Sequence, residues 1–141
     1  MTIRMEHANL HVRHLDDAVR FLTTAFPDFR VRSESIRDGL RWMHIGTDET
    51  YIALNETTFD GEDTKSPYDS KPGINHLGYE VDDVDALRER LAAAGFREST
   101  YPNKHPHRKR VYFYDADGND WEFVQYFSDE WSERNDYDLP D

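Results

Sequence analysis

The chain contains no cysteine, so any metal it holds must be bound through His, Asp, Glu or backbone oxygens, and thiolate chemistry and disulfides are excluded. Two histidines stand at corresponding places. H-A-N-L-H-V at 7–12 returns in reduced form as H-L-G-Y-E-V at 76–81, which sets His76 69 residues after His7. Alternate side chains of a strand share a face, so His7, Asn9 and His11 point one way while Ala8, Leu10 and Val12 point the other. The same parity groups His76, Gly78 and Glu80. The apolar set must cover a helix, which leaves the polar set lining a concave inner face, a pocket for a small molecule.

The elements that position these residues follow from the same offset. It places Leu15 on Val84, Ala18 on Leu87 and Leu22 on Leu91, and both series have the i, i+3, i+7 spacing of an amphipathic helix. Asp16 and Asp17 fall in the first turn of helix one, with Pro27 after it. Asp82, Asp83 and Asp85 open helix two and Gly95 ends it. Short β-rich runs follow at 29–31, 40–45 and 51–54, and again at 96–100, 111–114 and 121–127. Each copy therefore reads βαβββ. The expected organisation is one α+β domain with module one at about 4–56, a polar linker at 57–72, module two at 73–127 and an acidic, solvated tail at 128–141.

At 141 residues and 37% hydrophobic content, the chain suffices for one compact domain and is short for two independent ones. A formal charge of −12 repels nucleic acid and anionic lipid, so neither is an expected partner. No apolar run is long enough to span a bilayer and the start lacks a signal-like apolar core, so a cytoplasmic location is expected.

The motifs H-A-N-L-H-V-x-x-L-D-D-A-V-x-F-L, H-L-G-Y-E-V-D-D-V-D-A-L and Y-D-A-D-G-N-D-W-E-F-V resemble the signatures of the vicinal-oxygen-chelate superfamily, the glyoxalase, bleomycin-resistance and dioxygenase group. The resemblance covers nearly the whole chain apart from the linker and tail. It implies two tandem βαβββ modules forming an open, barrel-like mixed sheet with helices outside. It also implies one divalent metal, Fe, Mn, Zn or Ni, held by His7, His76 and Glu122, with Glu122 as the catalytic carboxylate. The family's fourth ligand position falls at residue 53, which is Ala, so this chain departs from the four-ligand glyoxalase pattern. Two imidazoles and one carboxylate leave positions open for a chelating substrate, O₂ or water. The arrangement resembles that of ring-cleaving dioxygenases and of thiol transferases. The alternative within the family is a metal-free, bleomycin-resistance-like protein that binds a small molecule.

Asn9 and His11 beside His7, and Asn55 two residues beyond Ala53, are candidate substrate contacts. The basic run Lys104, His105, His107, Arg108, Lys109, Arg110 has two readings: a clamp for an anionic substrate group, with Arg108, Arg110 and Tyr112 as the set to test, or internal pairing with the acidic surface or tail. Parity alone does not fix the face of His44. An interaction module docking through the tail or basic patch is a third class, with little in the sequence to support it. Family members commonly pair modules across a dimer and open strand edges need covering, so a homodimer is expected.

Overall fold

The structure, a computed structural model, describes residues 1–61, 68–70, 72–101 and 103–140. The middle of the expected linker and the final residue of the tail lie outside these. The chain divides into two compact units, Met1–Asp63 and Thr64–Asp141.

The first unit runs β1 (His7–Val12), α1 (Leu15–Ala25), β2 (Arg30–Arg37), β3 (Leu40–Gly46) and β4 (Tyr51–Glu56). Its sheet has the order β1-β4-β3-β2, with β1 parallel to β4 and the other neighbours antiparallel. Leu15, Ala18, Phe21, Leu22 and Ala25 form the buried stripe of α1 and pack with Val12, Met43, Ile45, Ile52 and Leu54. Each large apolar side chain removed from water in this way contributes about 1.5–3 kcal/mol.

The second unit runs β5 (His76–Glu80), α2 (Val84–Ala93), β6 (Arg108–Tyr114), β7 (Asp120–Tyr126) and a one-turn helix α3 (Trp131–Arg134). Its three-stranded sheet has the order β5-β7-β6, with β5 parallel to β7. Val84, Leu87 and Leu91 of α2 are buried, as are Val111, Phe113, Trp121 and Phe123 of the sheet. Asp83 caps α2 by accepting the Ala86 N–H at 2.9 Å, and Gly95, at φ 87°, follows the last turn in the left-handed region that glycine tolerates best. In the β6–β7 hairpin the Asp115 carboxylate accepts from the backbone N–H groups of Asp117 and Asn119, the Asn119 amide and the Trp121 indole. Burial nevertheless holds its carboxyl above the ordinary range, against the pull of those bonds.

The α+β class and the repeated module are as the sequence implies, with one four-stranded and one three-stranded sheet. Three details differ. β2 continues to Arg37, well past the expected 31, because an edge strand exposed on both faces carries no apolar alternation to read. It turns into β3 through Asp38 and Gly39, both at positive φ, a two-residue hairpin turn. The expected strand at 96–100 is only an isolated bridge, Glu98 with Phe113, extended by Ser99 N–H to Tyr112 C=O and Tyr114 N–H to Arg97 C=O. The tail is not simply solvated, since it carries α3 and is anchored as described below.

The repeat also has a capping device that the sequence analysis missed. The first backbone N–H of α1, on Leu15, donates to Glu56 Oε1 at 3.2 Å, and that of α2, on Val84, donates to Gln125 Oε1 at 3.1 Å. Glu56 and Gln125 are themselves 69 residues apart, so the end of the last strand in each module satisfies an otherwise orphaned helix donor.

Candidate functional site

In the second unit the parallel register sets Gly78 opposite Glu122, and the antiparallel register sets Tyr112 opposite Glu122 from the other side. His76, Glu122, Arg110 and Tyr112 therefore share one sheet face, while Trp121 and Phe123 point to α2. His76 Nε2 lies 2.9 Å from Glu122 Oε2, and its Nδ1 lies 2.7 Å from Asn75 Oδ1. The Arg110 guanidinium is 3.8 Å from Glu122 Oε1, and the His76 ring meets Tyr112 edge-on at 5.7 Å. Asn103 steadies Arg110 by accepting its backbone N–H at 3.2 Å and donating to its carbonyl at 2.9 Å, taking the place of a neighbouring strand.

The chemistry of this pair is informative. If Nδ1 donates its proton to Asn75, a neutral His76 turns a lone pair on Nε2 toward a carboxylate oxygen. Two acceptors at 2.9 Å require a proton or a cation between them. The nitrogen and oxygen donors are also those that Fe, Mn, Zn and Ni accept, so these residues fit a divalent metal.

Two residues before Glu122, the Asp120 carboxylate is buried and accepts the hydroxyls of Ser99, at 2.7 Å, and Tyr68. Burial and the Asp120 carboxylate push the Tyr68 phenol well above its ordinary range.

The basic run divides between two roles. Arg108 is only 3% exposed; its guanidinium donates to the Arg134 carbonyl at 3.0 Å and lies over the Tyr137 ring at 4.5 Å. His105 Nε2 meets the Asp136 carbonyl at 2.7 Å, His107 faces Glu133 at 3.7 Å, and Lys109 pairs with Asp85 at 2.5 Å. Four members thus make internal pairings, three of them anchoring the tail, and Arg110 is the member beside Glu122. The tail in turn sends Arg134 to Glu80 at 2.7 Å and over the Tyr126 ring at 3.9 Å.

In the first unit His7, Asn9 and His11 are exposed on one face of β1. Asn55 Nδ2 donates to Asn9 Oδ1 at 2.7 Å, which places Asn55 on that face too. Sequence reasoning missed what surrounds His7. Its ring stacks on Tyr51 at 4.8 Å and 12°, and its Nδ1 lies 3.1 Å from Glu6 Oε1. Tyr51 also hydrogen-bonds Glu6; this bond and His7 hold the Glu6 carboxyl below its ordinary range, while burial and Glu6 raise the Tyr51 phenol. Arg32 lies over the Tyr51 ring at 4.3 Å. His44 stacks on Tyr51 at 4.6 Å and pairs in register with Ala53, so its face is that of His7. One signal was available: Glu6 and Asn75 each precede a repeated histidine by one residue. Among the described residues, no three His, Asp or Glu side chains are gathered as a ready-made metal cage.

The Glyoxalase/Bleomycin resistance protein/Dioxygenase superfamily profile matches residues 4–123, most of the chain, and the protein belongs to that superfamily. A glyoxylase/bleomycin resistance protein/dioxygenase domain from Frankia sp. EAN1pec is 27% identical, with a TM-score of 0.72 over 89% of this chain and 99% of that one. A glyoxalase family protein from Bacillus cereus, 15% identical, gives a TM-score of 0.75 over 91% of this chain and 97% of that one. The fosfomycin resistance protein FosX from Listeria monocytogenes, in a crystal structure with Mn(II) and sulfate, is 19% identical, with a TM-score of 0.66 over 95% of this chain and 98% of that one. No curated protein matches the chain. Among the described residues, no helix is long and apolar enough to cross a membrane.

Proposed function

We propose that the protein is a metal-dependent enzyme that acts on a small, oxygen-chelating molecule, with His7, His76 and Glu122 as ligands of one divalent cation. The observation that carries this reading is the His76 Nε2 to Glu122 Oε2 approach of 2.9 Å with Nδ1 already engaged by Asn75. Mn(II) is the first metal to test, because the FosX relative was crystallised with it. When bound, such a cation supplies Lewis-acid stabilisation of an oxyanion or enolate.

The chain's own residues would do the rest. Arg110 offers a fixed positive charge beside Glu122 for an anionic substrate group, and Tyr112 supplies an adjoining ring. Asn9, joined to Asn55, and His11 supply polar contacts on the face of His7. Arg108 stands outside this set, because its guanidinium is spent on the tail. Ring-cleaving dioxygenation and thiol transfer are the reactions to assay first, and the exposed edge strand β2 supports a homodimer.

The test is Mn(II) titration of metal-free protein beside Glu122→Gln. About one equivalent per chain is expected, weakened at least tenfold in the variant with the far-ultraviolet spectrum unchanged. A wild-type protein that takes up no Mn(II), Fe(II), Zn(II) or Ni(II) overturns the reading. It then favours the second one, a metal-free small-molecule-binding protein, which Ala53 at the place of a family carboxylate supports.

A further inference from the structure

A neutral imidazole has one N–H, and its position decides which nitrogen can bind a cation. In each unit the candidate ligand has its Nδ1 met by a side-chain oxygen of the residue just before it: Glu6 Oε1 at 3.1 Å for His7, and Asn75 Oδ1 at 2.7 Å for His76. Glu6 and Asn75 are themselves separated by 69 residues, the offset that relates the two histidines. The same contact thus recurs at equivalent places in two modules whose other polar residues on the histidine face, such as Asn9 against Gly78 and Ala53 against Glu122, have diverged.

We infer that Glu6 and Asn75 are positioning residues that keep the Nδ1 proton on His7 and His76 and so make Nε2 of each imidazole the ligating nitrogen. This rests on the metal-dependent reading proposed above. In the second unit the freed nitrogen is the one directed at Glu122 Oε2. In the first, the ring is further fixed by its stack on Tyr51, which is bound to the same Glu6 carboxylate, so one acidic group sets both the tautomer and the plane of His7. The two supports differ in charge. Module one has Ala53 where module two has Glu122, and its carboxylate stands behind the imidazole at Nδ1.

The experiment pairs Mn(II) titration with long-range ¹H–¹⁵N correlation spectra at alkaline pH of the metal-free protein and of the protein loaded with diamagnetic Zn(II), which read the tautomer of each histidine. Wild type, Glu6→Ala, Glu6→Gln and Asn75→Ala are compared. The expected result is an Nδ1–H tautomer at His7 in metal-free wild type, lost in Glu6→Ala, and at His76 in Zn(II)-loaded wild type, where the cation replaces the proton between Nε2 and Glu122, lost in Asn75→Ala. Mn(II) affinity falls about 10–100-fold in each alanine variant, and Glu6→Gln, which keeps an acceptor oxygen, restores the tautomer and most of the affinity. If wild type binds Mn(II) and the alanine variants match it in affinity and tautomer, this inference is overturned while the metal reading stands. If wild type binds no metal, the metal reading fails and the metal-free spectra decide: a His7 tautomer that changes with Glu6 upholds the positioning role, and an unchanged one overturns it.

Discussion

Opposite the head of its parallel strand pair, the second module sets Glu122 within reach of His76, whereas at the matching place the first has Ala53, with His44 in register beside it and Tyr51 stacked on His7. Both modules use the same strand order around the repeated histidine and the same helix-capping contact from the end of the last strand. What differs is the decoration around the repeated histidine: Glu122, Arg110 and Tyr112 beside His76 in module two, and the stacked rings of Tyr51 and His44, with Glu6 and Arg32, around His7 in module one. The frame is set by buried apolar residues and backbone bonds, which leaves the polar face open to divergence without loss of the fold.

Substitutions at matching places separate frame from decoration. Leu22→Ala and Leu91→Ala remove equivalent buried side chains, 1% and 0% exposed, and each should cost about 2–5 kcal/mol in urea unfolding. A cost below about 1 kcal/mol at either would show that its helix is not an equal part of the frame. Ala53→Glu carries the module-two carboxylate into module one. Because Ala53 is 2% exposed, stability should fall by about 1–3 kcal/mol, and an unchanged unfolding midpoint would mean that module one retains room for the lost group.

A smaller effect compares the caps. Glu56→Ala and Gln125→Ala should each cost about 0.5–2 kcal/mol, with faster amide exchange at Leu15 and Val84 respectively. Glu56 should cost more, since its other oxygen also accepts the Arg41 N–H at 3.3 Å; equal costs would remove that distinction. The smallest effect is a pH dependence from Tyr68 in the second unit. Tyr68 has a raised folded-state value through burial and Asp120, so the folded chain holds this proton more tightly than the unfolded one. Its contribution is complete below about pH 10 and lost as pH rises through the raised value. Tyr68→Phe should therefore flatten the alkaline loss of stability, and an unchanged slope would show that the hydroxyl is not coupled to folding.

Much of the frame was legible because a repeat states each apolar position twice. Leu15, Ala18 and Leu22, with Val84, Leu87 and Leu91, were readable as two helix stripes, and all six are buried. The strand at 96–100 was misjudged because its β-rich composition does not reveal that only Glu98 forms a bridge. The full length of β2 was invisible because its exposed residues need not alternate. The basic run left two readings open; the fold assigned Arg108 to the tail and Arg110 to the neighbourhood of Glu122.

The sequence by itself determined the superfamily, the two modules and the absence of thiol chemistry, since these depend on residue identity and period. It also aligned His7 with His76 and set Ala53 at the place that Glu122 holds in module two. Only the tertiary structure decided which side chains meet: Asn75 with His76, Glu6 and Tyr51 with His7, and the tail with Arg108. The physical reason is that a hydrogen bond or ring stack depends on ångström-scale distances and rotamers, and those are set by strand register and packing from outside each local motif.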